Sequence, residues 1–290
     1  MSNTLYVIGN GFDCMYNLST TVKDFRECLS ECRVYNETGG ALEVFETYGV
    51  DFWNEFEGGL ADVDIEEIAM EKIEQPNYLS DRESDRDGGI LNMQMYTKSL
   101  KDSVTTAFDM MVDNAEDELD DRSCITKELF EDGDQIITFN YTSTIERLYE
   151  LPPQVGVFHI HGDSDSEKIF GYRTANNALI KNNEGEEGDF YIREQEEELN
   201  SFYQDLKKDF QYDGLEDFLE KYCNEIDKVV VIGHSMSEVD SEYMELIERK
   251  INPESWEISQ YENSPSVNEL KNYSFANKIH TFQSSELLQK

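Results

Sequence analysis

Positive charge is scarce in this chain: 24 Lys and Arg stand against 63 Asp and Glu, a formal net charge of −39 over 290 residues. A field of that sign repels phosphate backbones, so no direct nucleic-acid partner is expected. The acidity has two readings, adaptation to salt or solubility and mimicry of DNA toward a basic cleft. No apolar run approaches the roughly 18 residues that a membrane span needs, so no membrane partner is expected. The opening Met1-Ser2-Asn3-Thr4 enters Leu5 to Ile8 with no basic leader region, and the expected location is the cytoplasm. The five cysteines (Cys14, Cys28, Cys32, Cys124, Cys223) are odd in number and irregularly spaced, which excludes a disulfide framework and predicts free thiols. Cys28 and Cys32 lie one helical turn apart, but no second Cys or His pair completes a zinc set, and no metal is expected.

What is present suffices for a globular core: 38% hydrophobic residues, 12% of the chain aromatic. Short apolar runs predict strands at Leu5 to Ile8, Gln135 to Phe139, Val155 to Ile160, Val229 to Ile232, Trp256 to Gln260 and Lys278 to Phe282, with a shorter one at Ile169-Phe170. Helical patterns run from Val22, from Val44 to Ile73 with an interruption at Gly58-Gly59, from Ile90 to Ala115, from Thr144, and from Gln195 to Ile226 with a break near Asp213-Gly214. Trp53 reads as a core residue. Ser80 to Gly89 and Asn182 to Asp189 read as loops, and Ser143 and Glu146 have capping-box spacing. Strands alternating with helices predict a Rossmann-like α/β fold: a mainly parallel sheet, helices on both faces, and right-handed crossovers. The expected organisation is one domain over residues 1–290 with a helical insertion at about 44–121.

Four strand ends carry small or polar residues unsuited to a core: Gly9-Asn10-Gly11, Thr138-Phe139-Asn140, His161-Gly162 and Gly233-His234-Ser235. In open parallel sheets ligands bind beyond the carboxyl ends of the strands, so these four motifs predict one binding edge. Glycines at 9 and 11 would let backbone N–H groups approach a phosphate or ribose, or would only make a tight turn. Three of the four histidines, His159, His161 and His234, fall at or beside these ends, whereas His280 has no accompanying motif and reads as structural. In a strand His159 and His161 share a face, so one serves chemistry while the other packs, or both grip a metal. Asn140 either serves the site or bonds its own turn.

The segments Leu5 to Asp13, Asn17-Leu18-Ser19-Thr20, Asp24-Phe25, Ile137 to Thr142, His159 to Gly162 and Ile232 to Met236 with Asp240 together resemble the AbiH family of phage abortive-infection proteins. More distantly they resemble sirtuin-like domains of antiphage NAD hydrolases. That second resemblance implies a sirtuin-like fold with NAD as substrate. Gly9, Asn10, Gly11, Phe12 and Asp13 would cradle pyrophosphate and ribose, and Asn140 would contact the nicotinamide ribose or place a water. His161 would act as general base, and Gly233 and Ser235 would line the adenosine side. The flanking Thr138, Tyr141, Gly162, His234 and Asp240 are counted with the binding residues. Asn10 and Asp13 depart from the usual sirtuin-like loop, which has smaller groups there. Two other readings stand beside NAD hydrolysis: a metal-dependent phosphoester hydrolase using His159, His161, His234 and Asp240, and a non-catalytic nucleotide sensor or acidic decoy. A homo-oligomer and a phage-derived trigger protein are the macromolecular partners left open.

Overall fold

The computed structural model describes residues 3–52, 56–125, 129–166, 168–180, 189–222, 225–236, 238–260 and 270–284. Trp53, Cys223 and most of the expected 182–189 loop lie outside them. The chain forms two compact units, one of residues 1–21, 112–169 and 210–290, the other of residues 22–111 and 170–209.

The first unit is built on six parallel strands: β1 (Asn3–Ile8), β2 (Gln135–Thr138), β3 (Gly156–His159), β4 (Ile226–Ile232), β5 (Ser255–Gln260) and β6 (Ile279–Gln283), in the order β3-β2-β1-β4-β5-β6. The central strands read as near-continuous apolar runs, as Val229-Val230-Val231-Ile232 does, because a parallel sheet covered on both faces buries every side chain. Alternation divides them between two cores. Leu5, Val7, Ile137, Val229, Val231, Trp256 and Ile258 pack on one face with α9 (Tyr212–Tyr222) and α10 (Ser241–Ile251). Ile8, Ile136, Val230 and Ile232 pack on the other with α1 (Gly11–Met15), α7 (Thr144–Leu148) and the last turns of α6 (Ser84–Asp120). This is the Rossmann-like α/β arrangement, with the strand order reversing between β1 and β4.

The second unit is helical: α2 (Val22–Glu31), α3 (Ala41–Thr47), α4 (Phe56–Ala61), α5 (Ile65–Lys72), the earlier part of α6, and α8 (Phe190–Asp205). Its centre is a set of rings, Phe25, Phe45, Phe52, Phe56, Phe108 and Phe170, each within 4.3 to 6.4 Å of another, centroid to centroid. The unit takes in residues 22–43 and 170–209 besides the expected insertion, whose last residues, 112–121, belong to the first unit; within it Tyr203 donates its hydroxyl to the Ala61 carbonyl at 2.5 Å.

Four local readings change. Ser84 to Gly89 is helical, as is the acidic stretch through Asp120, so α6 runs 37 residues. Within it Gly89 leaves room for Gln195, whose amide nitrogen would lie 3.0 Å from a Cβ there. The late helical stretch breaks at 206–211, and Gly214 sits within α9, where it admits the Phe158 ring. Ile169-Phe170 forms no strand; the Ile169 N–H bonds the His161 carbonyl at 2.9 Å. The Ser143–Glu146 capping box does not form, because Ser143 turns to Glu116 and Glu146 to His159. Among the described residues no helix is long and apolar enough to cross a membrane, and Cys14, Cys28, Cys32 and Cys124 are free thiols.

Candidate functional site

The residues singled out at the strand ends all lie in the first unit, at the carboxyl edge of its sheet, and they fall into three groups.

The first group is the crossing between β1 and β4. Gly9 donates its N–H to the Ile232 carbonyl at 3.0 Å, Gly11 donates to the Gly233 carbonyl at 2.7 Å, and Phe12 donates back to the Gly9 carbonyl at 2.8 Å. A Cβ on Gly9 would lie 2.5 Å from the His234 Cα, and one on Gly11 would lie 2.8 Å from the Gly233 Cα. Gly233 itself has φ +67°, and a Cβ there would meet the Phe12 nitrogen at 2.2 Å. These glycines therefore let two backbones touch at the point where the strand order reverses. The N–H groups of Gly9 and Gly11 are spent on that contact. Asn10 is exposed and ties its side-chain amide to the Thr20 carbonyl at 2.8 Å, whereas Phe12 is buried against Tyr16 and Tyr149.

The second group surrounds the turn after β2. Thr138 accepts the Asn140 N–H at 3.1 Å, and Asn140 is only 5% exposed. Its carboxamide faces the Asp13 carboxyl, but neither of its polar atoms makes a hydrogen bond of ordinary geometry within the chain. Asp13, 1% exposed, reaches this turn from α1 and accepts the Thr142 hydroxyl at 2.7 Å; its other oxygen has no such partner. Burial raises the Asp13 carboxyl to about 6 against the opposing pull of Thr142, Thr144 and Asn140, with nearby Glu116 adding to the rise. Glu116 accepts both the Ser143 N–H, at 2.5 Å, and its hydroxyl, at 2.6 Å, and pairs with Arg147 at 3.2 Å. His159, the last residue of β3, places Nδ1 3.0 Å from the Asn140 carbonyl and Nε2 2.9 Å from Glu146 Oε1.

The third group is aromatic. The Phe139 ring stands edge-on to His234 at 4.3 Å, to His161 at 5.3 Å and to Tyr243 at 5.6 Å. His161 is 3% exposed, stacks on Tyr141 at 6.1 Å and meets Tyr243 at 5.8 Å; Gly162 follows with φ +84°. The Tyr141 hydroxyl bonds the Ile169 carbonyl at 2.9 Å. Nδ1 of His234 accepts the Met236 N–H at 2.8 Å, which puts the ring proton on Nε2, 3.5 Å from Asp240 Oδ2. With its lone pair so engaged, His234 acts as an anchored donor rather than a base. Ser235 is exposed.

His159 and His161 are thus not neighbours on one strand face. The β3 ladder ends at His159, and the chain turns before His161. No group of three His, Cys, Asp or Glu suited to a metal occurs among the described residues, so His159, His161, His234 and Asp240 do not come together as the phosphoesterase reading requires. Asn140 and His161 flank Phe139 and Tyr141 without a hydrogen bond between their side chains. Sequence reasoning missed Thr142, Thr144, Glu116, Glu146 and Tyr243; only the hydroxyl-rich Thr142-Ser143-Thr144 beside Asn140 signalled any of them.

The model of the family described as "Bacteriophage abortive infection AbiH" matches residues 5–261, a span that contains all four strand-end motifs. The chain belongs to the AbiH family. Its functional class is accordingly phage abortive infection. No curated protein and no solved structure gave a match. In this AbiH chain the matched span takes in both compact units.

Proposed function

We propose that the carboxyl edge of the AbiH sheet is a nucleotide-processing site that hydrolyses the N-glycosidic bond of NAD or a related nucleotide, with Asn140 and His161 as the chemical pair. The observation that carries this reading is the Asn140 carboxamide, buried with no hydrogen-bond partner of ordinary geometry in the chain. A carboxamide so loosely held keeps hydrogen-bonding capacity that a ligand hydroxyl or a positioned water would fill. It stands at the carboxyl end of β2, one strand from the reversal of strand order, where open α/β sheets bind ligands.

The residues present favour the ribose end of such a substrate. Cleavage of a nicotinamide glycoside has a good leaving group and an oxocarbenium-like transition state, so it asks mainly for positioning and a base. Asn140 holds a ribose hydroxyl or the attacking water. His161 takes the proton, a role worth on the order of 100-fold to 10,000-fold in rate. The buried Asp13 carboxyl interacts with the Asn140 side chain and, when ionised, would stabilise positive charge on a sugar bound there. The glycine turn supplies shape rather than phosphate contacts, because the Gly9 and Gly11 amides are already bonded to β4 and its turn.

The test is to incubate purified protein with NAD, with and without lysate of phage-infected cells as a source of a trigger, and to follow free nicotinamide. Release is expected, falling at least about 100-fold in Asn140→Ala and His161→Ala. No release under either condition, with NAD bound intact, would make the site a sensor. Undiminished release in both variants would overturn the residue assignment.

A further inference from the structure

The turn that presents Asn140 is held by carboxylates from three elements. Asp13 on α1 takes the Thr142 hydroxyl, Glu116 near the end of α6 takes the Ser143 N–H and hydroxyl, and Glu146 on α7 faces His159. The last connection differs from the other two, because a ring stands between the carboxylate and the turn. One ring nitrogen faces a backbone carbonyl at 3.0 Å and the other a carboxylate oxygen at 2.9 Å. Both partners are acceptors only. A neutral imidazole carries one N–H and can satisfy one of them; the imidazolium carries two and satisfies both.

We propose that His159 is a positioning residue for Asn140, its doubly protonated ring bridging the Glu146 carboxylate to the Asn140 carbonyl and so fixing the orientation of the carboxamide in the site. The proposal rests on the reading of Asn140 as a functional residue. Geometry separates this role from packing: a histidine that merely fills space has no need of two acceptors on opposite ring nitrogens, one of them on the peptide of the residue with the unsatisfied side chain. The titratable groups that face the ring are Glu146 on α7 and Asp163 in the loop after β3. Burial disfavours the charge, but Glu146, the Asn140 carbonyl and Asp163 more than offset it, and the His159 midpoint lies above that of an ordinary histidine. The bridge is intact below that midpoint. As pH rises through it one N–H is lost, and an acceptor is left facing a lone pair.

The experiment has one arm that needs no substrate. In the full chain labelled with nitrogen-15, the His159 ring and the Tyr141 amide, which shares its peptide with the Asn140 carbonyl, are followed by NMR against pH. The two should titrate with a common midpoint, and Glu146→Gln should lower the ring midpoint by about one pH unit. A Tyr141 amide that ignores the His159 titration, or a midpoint unmoved in Glu146→Gln, overturns the proposal. The second arm measures nicotinamide release. His159→Ala should lower kcat about 10-fold or more with KM within about twofold, while His159→Asn, whose amide can donate from the Nδ1 position, should recover most of it. Equal loss in both variants, in proportion to the folded fraction, would show a structural role and overturn the proposal. Absence of release from the unmodified protein would sink the NAD reading alone, because the NMR arm still decides the bridge.

Discussion

The β1–β4 crossing and the turn after β2 lie at the same edge of one sheet, yet they solve opposite problems. The crossing is made of glycine and satisfied backbone: Gly9 and Gly11 donate to Ile232 and Gly233, and no Cβ fits between them. The turn is made of polar side chains, several buried, and leaves one carboxylate oxygen of Asp13 and both polar atoms of Asn140 without ordinary partners. The difference teaches which motif is scaffold and which has unspent capacity for a ligand. A glycine signature at the end of a first strand suggests phosphate binding, but the close approach of a second backbone is an equally good reason for glycine.

The sharpest way to break this comparison is at the crossing. Gly233→Ala places a Cβ 2.2 Å from the Phe12 nitrogen at a backbone φ of +67°, and overpacking with left-handed strain should cost at least about 3 kcal/mol. Urea denaturation checks this, and a loss under about 1 kcal/mol would mean the two backbones do not touch.

Next in size is Asp13. Its carboxyl is raised to about 6 in the folded chain from 3.8, so the stability its protonated form provides is complete below about pH 4 and is lost as pH rises through about 6. At pH 7 to 8 the ionised, buried group is a liability on the order of 2–3 kcal/mol. Asp13→Asn, which keeps an acceptor for Thr142, should therefore raise the midpoint of thermal unfolding at pH 8 and leave it unchanged near pH 3.5. A lower midpoint at pH 8 would show that the charge is compensated. Glu116→Gln should cost less, about 1–2 kcal/mol, by weakening charge-assisted hydrogen bonds to Ser143; equal stability would free the turn from α6.

The smallest expected effect is the most informative. Asn140→Ala removes a carboxamide with no ordinary partner in the chain, so stability should shift by less than about 1 kcal/mol while nicotinamide release collapses. A large destabilisation would return Asn140 to the scaffold.

Much of the fold was legible because parallel strands buried on both faces advertise themselves: Val229 to Ile232 and Ile136-Ile137 could be little else. Regions where propensity and context disagree were not. Gly88 and Gly89 with a charged flank read as loop, yet Gly89 packs against Gln195, far away in sequence, and helix continues through both. The same holds at Gly214, which reads as a break and instead makes room for Phe158. At the site, the strand-end motifs located the edge, because polar residues after an apolar run have no other excuse. Their division into groups was hidden. Nothing local in the sequence says that Glu146 will leave its own helix cap for His159, or that Glu116, 24 residues before Asn140, will hold the next turn. Those pairings are tertiary.

Strand order also has a consequence for how the protein is made. Of the six strands β1 is translated first, but Leu5 pairs with Gln135 on one side and Val229 on the other. A nascent chain therefore carries a central strand that lacks one or both partners until β4 has been made, and contacts so distant in sequence form slowly. The crossing at Gly233, and with it the edge that Asn140 and His161 share, comes into being only once Gly233, far down the chain from Gly9 and Gly11, has emerged. A product that stops short of Gly233 therefore lacks the β1–β4 crossing altogether, whatever else of it has folded.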